Sequence, residues 1–568
     1  MIEKYKRRAV FSMLIVLTVI LSAVLWYQDR DKKRNTKAAE LKQGTAYFSN
    51  ATARPGTPVE VVAANYPMFT QLVYEWRVDG ELIEHDGSSY TPVEADLEKM
   101  ITVTVRADGY EEQMLSVYCS KLPVLYIDTD DGTNVESKDE YKSAYYVLQG
   151  AGEGPYETVT GGAWVKGRGN YSWTLPKTPY KLKLDDEADL LGMGENKHWV
   201  LIPNMPDPSL MRNTLSCWIS EQMGLVSMKT KWVALVVNGS CMGNYQLCQQ
   251  IRPGADRVPA ADWEELSGQV AEAVYSEGGV PGEKEELKAY LEQNLSWMSE
   301  GVFEFKGKNY TVPDQLMPSA LTGGFVLEID ISFDRTTQFF SHVGLPIMVC
   351  FPEYAKSNQE LMDYIVDYVQ AVEDAAYDEE GYGTFRGKSV HYSELVDMDS
   401  LVNYWLVSEL FYNVDFDMKS IFLYKDIEGK LFLGPIWDMD LTCGIGDERE
   451  DSYTLWATWN SGTKEQTIMW YRPLIKNRDF VRQAFEAYHR YRPLFQEMVR
   501  DGGMIDQYYG YLCESGQADA KRWREEADDE YFERAVYQEL KPWLINRLVW
   551  MDEQFASEET LAQSLNAY

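Results

Sequence analysis

The sequence predicts an α+β chain made of an apolar N-terminal segment, a small all-β module and a large mixed domain. Three observations carry that expectation. An uncharged run follows a basic N-terminus, short alternating stretches fill residues 44–120, and beyond Leu122 strand-like runs interleave with helical periodicity. At 568 residues the chain exceeds one ordinary core, so two or three domains are expected. Hydrophobic residues make up 45% and aromatic residues 13%, which places the chain among folded proteins despite a formal net charge of -35. That charge argues against a nucleic-acid partner, because affinity for a phosphate backbone rests on clustered Lys and Arg. A basic protein is the partner such a surface suits.

The N-terminal element comes first. "KYKRR" precedes an uncharged run over residues 9–28, close to the ~20 residues a membrane helix needs. No A-x-A pattern follows, and Leu25, Trp26 and Tyr27 end the run as interfacial aromatics do. Residues 1–28 are therefore expected as a single-pass membrane anchor, with a cleaved signal segment as the rival, and 29–43 as a linker. The bulk of the chain is then expected outside the cytoplasm, at the cell membrane.

From 44 to 120, "PVEVVAAN", "LVYEWRVDGELI", "MITVTVRADGY" and "EQMLSVYC" alternate, and Asp79-Gly80 is a tight-turn signal between two of them. Short strands spaced by turns suggest a small β-sandwich, immunoglobulin-like, with Trp76 as its core plug. A spacer role is the simplest reading.

Residues 121–500 are expected to form the mixed domain, with an acidic insertion at about 260–322 and a helical extension over 501–568. "VLYIDTDDG" reads as a strand entering an acidic turn. "WVALVVNGSCMGNYQL" reads as a hairpin turning at Asn238-Gly239. Between them "SLMRNTLSCWISEQMGL" has helical spacing and a C-terminal cap at Gly224, and is expected to share a lobe with the strands. Leu361, Tyr364, Ile365, Tyr368, Val369 and Val372 fall on one face of a later helix. Leu401, Tyr404, Trp405 and Phe411 do so on the next, which Asn413 is suited to end in a left-handed conformation.

Seven cysteines without a CxxC pair cannot close a disulfide framework, and most suit a core. Five scattered histidines lack HExxH spacing, so a zinc hydrolase is unsupported and any metal should be held by oxygen.

The segment "NVDFDMKSIFLYKDIEGKLFLGPIWDMDLTCG" holds two strand-like runs joined through Glu428-Gly429. A hairpin returns its ends to one place, with strands about 4.8 Å apart. Asp415, before the first strand, and Asp438, after the second, should therefore meet. Two such carboxylates can share a metal ion or divide the roles of base and ligand; aspartates that merely cap turns are the competing explanation.

Several motifs then resemble, in order, the spore-coat protein H (CotH) kinase-like family. They are "KGRGNYSW", "KTPYKLKL", "LLGMGENKHWVLIPN", "LMRNTL", "VVNGSCMGNYQL", "GGFVLEID", the hairpin segment and the terminal "LKPWLINRLVWMDEQF", covering residues 122–555. The resemblance implies an atypical protein-kinase-like, two-lobed fold. It implies transfer of phosphate from ATP, with Mg2+ or Mn2+, to protein hydroxyls. By matching motif, Asp415 would be the catalytic aspartate and Asp438 a metal ligand, with Asp440 a second. Gly167, Arg168 and Gly169 would belong to the nucleotide pocket, and Lys183 or its neighbour Lys181 would reach the α- and β-phosphates.

The chain also departs from the pattern. Protein kinases carry a metal-binding Asn five residues after the catalytic aspartate; here Lys419 and Ser420 stand at that point. Gln249 occupies a place where the resemblance implies an acidic residue, leaving Glu221 and Glu328 as candidate partners for the strand lysine. The alternative to an active kinase is therefore a catalytically weak pseudokinase acting as a cell-surface binding or structural protein.

Overall fold

The computed structural model describes residues 41–49, 52–150, 158–416, 419–447, 449–459 and 470–567. The anchor expected over 1–28 lies outside them. Among the described residues no helix is long and apolar enough to cross a membrane. The chain forms two compact units. The first holds the residues up to Met205 with Thr230–Gln249 and Gly510–Phe532, and the second holds Pro206–Lys229, Gln250–Tyr509 and Glu533–Tyr568.

The first unit begins with two small sheets around one core. Thr45–Phe48, Val59–Ala64 and Ser89–Tyr90 make one; Leu72–Val78, Glu81–Leu82, Lys99–Ala107 and Gln113–Cys119 make the other. Trp76 is fully buried between Val59, Ile101, Val103 and Val117, and its indole N–H donates to the Gly87 carbonyl at 2.8 Å. Asp79 and Gly80 both take positive φ, 48° and 82°, which is the tight turn their sequence requires.

The same unit contains a feature that local patterns did not announce, a closed seven-stranded barrel. Its strands are Val124–Thr129, Lys142–Gln149, Val159–Gly167, Tyr180–Asp189, Glu195–Ile202, Thr230–Val237 and Ser240–Gln249. Leu182, Leu184, Trp199, Leu201, Leu235 and Leu247 fill its interior. Alternation puts Lys181 and Lys183 on the outer face. Asn238 and Gly239 turn the last hairpin with φ of 48° and 77°.

Glu98 sits buried beside Tyr118 and Ser120, where the second small sheet leads into the barrel. Ser120 Oγ donates to its Oε1 at 2.6 Å and Tyr118 OH to its Oε2 at 3.3 Å. Burial, helped by the charges of Asp519 and Glu514 and opposed by those two bonds, pushes its carboxyl up to about 7. The folded state therefore holds this proton more tightly than the unfolded chain. The stabilisation is complete below the ordinary value of 4.5 and is lost as pH rises to about 7. In urea unfolding at stepped pH, wild type should lose roughly 2–4 kcal/mol relative to Glu98→Gln across that window; parallel curves would refute the assignment.

The second unit is built on a five-stranded antiparallel sheet in the order Gln338–Phe340, Pro346–Phe351, Phe325–Ile329, Ile421–Lys425, Leu431–Leu433. The insertion contributes helices Trp263–Ser276 and Lys284–Gln293 and a small hairpin, Val302–Phe305 with Lys308–Thr311. Helix Gln359–Tyr377 buries the six residues expected of it. Helix Met398–Phe411 differs from the one-faced helix expected, because every residue from Ser400 to Phe411 is buried. A helix apolar on nearly all sides belongs inside. Helix Arg212–Gln222 packs against it, and Asn403 Nδ2 donates to Met223 O at 2.8 Å. That helix belongs to the second unit, which corrects its expected place among the barrel strands.

Candidate functional site

The site grows from the end of the buried helix. Left-handed conformation falls on Tyr412, φ 51°, and not on Asn413 as expected. Tyr412 is held there by its surroundings: its hydroxyl donates to Asp447 Oδ2 at 2.7 Å and its ring lies 5.7 Å from the Arg547 guanidinium. Asn413 instead turns its side chain forward, where Oδ1 accepts from the Asp415 amide at 3.0 Å. The chain leaves the helix with Asp415 half-buried on a short loop.

The expected hairpin follows, with Leu423 opposite Leu433 and the turn at Glu428, φ 56°, and Gly429. At its open end the two aspartates reach adjacent residues. Lys419 Nζ lies 3.1 Å from Asp415 Oδ1, and Ser420 Oγ donates to Asp438 Oδ2 at 3.1 Å. The Ser420 amide donates to Asp330 Oδ2 at 3.2 Å, adding a third carboxylate that the sequence reading had not named. Ser420 and Asp438 both hold positive φ, 54° and 61°. Backbone held in this region costs energy and persists where neighbours enforce it.

The enforcing neighbours come from "LMRNTL". Asn213 Oδ1 accepts from the Met439 amide at 2.7 Å, and Arg212 Nε donates to the Thr442 carbonyl at 2.9 Å. Arg212 is buried against Asp207, whose carboxylate also accepts from the Arg212 amide at 2.9 Å. The helix start thus clamps the loop carrying Asp438 and Asp440. No spacing rule announces such a clamp, since its partners lie more than 200 residues apart.

Electrostatics at this end are those of several carboxylates crowded together with few cations. Asp440 keeps some accessible surface, but the protein crowds its carboxyl. Burial first, then the charges of Asp438, Asp207 and Asp415, push it well above the usual carboxylate range. Burial pulls the Lys419 ammonium down, yet Asp415, Asp330 and Asp438 together win and raise it.

Among the described residues no group of three or more His, Cys, Asp or Glu is placed to hold a metal ion by itself. The donors fit a hard cation all the same. Mg2+ is commonly held by one or two carboxylates with substrate phosphates and water completing the octahedron, and Asp438 with Asp440 offers that partial set.

In the first unit, Lys181 and Lys183 lie opposite Lys166 and Trp164 across the strand pair, so one outer barrel face carries three lysines. The Gly167 amide donates to Ser137 O at 2.8 Å and the Arg168 amide to Pro179 O at 3.2 Å. A Cβ at 167 would sit 2.2 Å from the Trp173 ring, so packing explains that glycine; Gly169 has φ 78°. Gln249 is buried and its amide donates to Met193 O at 2.7 Å, a bond a carboxylate could not make. Glu328 is partnered by Arg335 at 3.4 Å, whereas Glu221 is exposed.

A family model described as CotH kinase protein matches residues 165–274 and 351–551, together more than half of the chain. No curated protein matches it.

Proposed function

The chain belongs to the CotH kinase family, and from that premise we propose that it is a membrane-anchored, extracytoplasmic protein kinase. It would transfer the γ-phosphate of ATP to protein hydroxyls. The observation that carries this reading is the open end of the hairpin, where Asp415 and Asp438 meet Lys419 and Ser420.

Asp415 takes the proton of the acceptor hydroxyl as its oxygen bonds to the γ-phosphorus and the bond to the β–γ bridging oxygen breaks, releasing ADP. Asp438 and Asp440 would hold the divalent ion, which supplies charge neutralisation to the phosphates when bound. Lys183, with Lys181 and Arg168, supplies positive charge for phosphate oxygens. The sandwich serves as an immunoglobulin-like spacer between the anchor over 1–28 and the kinase-like part. The acidic surface favours basic protein acceptors.

One experiment decides the reading: the full chain with γ-labelled ATP and Mg2+ or Mn2+, offered a basic and an acidic protein. Label on the chain or on the basic protein is the expected result. No label with either metal would overturn it and favour the surface-binding pseudokinase, a reading supported by the Lys419 ion pair that occupies Asp415.

A further inference from the structure

We propose that Lys419 is a built-in second cation, so that this chain binds a single divalent ion with ATP where protein kinases bind two. The inference rests on the kinase reading above and concerns the same site.

In protein kinases the metal-binding aspartate and an asparagine five residues after the catalytic aspartate hold the ions. An asparagine carbonyl is a free oxygen ligand. Here the position is Ser420, whose hydroxyl spends its hydrogen on Asp438 Oδ2 at 3.1 Å and whose amide is engaged by Asp330. That carboxylate oxygen is thereby tied to a donor. The neighbouring residue brings the missing charge. Lys419 Nζ lies 3.1 Å from Asp415 Oδ1, with its side chain 44% exposed, and it also faces the charges of Asp330 and Asp438. Among the described residues no third carboxylate, thiolate or imidazole joins two others as a metal cage. Asp438 and Asp440 therefore serve one ion, completed by phosphate oxygens and water.

A lysine suits the task. Its ammonium is a compact charge with three donors on a flexible four-carbon stem. Without nucleotide it rests on Asp415; with ATP present it can move to the transferred phosphoryl group, neutralising it and leaving Asp415 free to accept the hydroxyl proton. A second divalent ion placed beside it would meet a like charge at close range.

The test counts Mn2+ bound per chain by electron paramagnetic resonance, with a non-hydrolysable ATP analogue saturating. Wild type and Ser420→Asn should bind one ion, and Ser420→Asn combined with Lys419→Met, which restores the ligand and removes the ammonium, should bind two. Lys419 is half-exposed, so the double variant should melt with wild type, which is checked alongside. Two ions in wild type would overturn the inference while leaving the kinase reading intact. One ion in the Lys419→Met/Ser420→Asn double variant, or two in Ser420→Asn alone, would also overturn it. No bound ion and no bound analogue in wild type would remove the kinase reading and the inference together.

Discussion

Asp438→Asn should abolish phosphate transfer while leaving the melting temperature close to that of wild type. Asp438 is exposed, so the substitution opens no cavity, and the amide can still accept from Ser420 Oγ. What it removes is the negative charge that, on the proposed kinase reading, would hold the metal–phosphate group. Metal stabilisation of transition-state charge amounts to several kcal/mol, which corresponds to a loss of roughly 10³-fold or more. Asp415→Asn should lose about 10²–10⁴-fold through the missing proton acceptor. The two differ in a second measurement: affinity for Mn2+ with an ATP analogue should fall in Asp438→Asn and persist in Asp415→Asn. Equal Mn2+ affinity in both variants would contradict the division of roles.

Arg547→Leu should be the most destabilising single change in the second unit. Arg547 and Glu409 are both fully buried. The guanidinium donates to the carbonyls of Glu409 at 2.5 Å, Tyr453 at 2.9 Å and Leu455 at 2.5 Å, and the Glu409 carboxylate accepts from the amides of Ala457 at 2.6 Å and Thr458 at 2.9 Å. Burial pushes Arg547 down to about 10 and Glu409 upward, each opposed most strongly by the other. Removing the arginine strands a buried carboxylate and three carbonyls, a loss of about 3–5 kcal/mol from a total of roughly 5–15 kcal/mol. Because Glu409 lies in the last turn of the helix that leads to Asp415, transfer should fall with stability. Thermal unfolding of Arg547→Leu beside Glu409→Gln checks this. The glutamine variant should lose less, because the guanidinium it leaves without a carboxylate keeps its three backbone carbonyl acceptors and one side-chain oxygen at 409 still accepts from a backbone amide.

The features read correctly from sequence were those whose causes are local. Asn238-Gly239 and Asp79-Gly80 turn hairpins because only such residues tolerate two positive φ values in succession. The hairpin that carries Asp415 to Lys419 and Asp438 to Ser420 is likewise local. The missed features depend on distant partners. Barrel closure requires Val124–Thr129 to pair in parallel with Thr230–Val237, and no local period encodes that. Tyr412 takes the left-handed position that Asn413 was suited to because Asp447 and Arg547, far along the chain, hold its side chain. Arg212 and Asn213 read as ordinary helix residues until the loop at 438–443 comes to rest on them. Helix Met398–Phe411 looked one-faced because Ser400, Asn403, Ser408 and Glu409 are polar, yet all four are buried.

The central claim is that this hairpin mouth transfers phosphate. The most direct measurement is phosphopeptide mapping of the full chain and a basic acceptor after incubation with ATP and Mg2+, with Asp438→Asn run in parallel. The account predicts phosphomonoesters on serine, threonine or tyrosine with wild type and none with the variant. Unmodified peptides with wild type, or equal phosphorylation with Asp438→Asn, would contradict it.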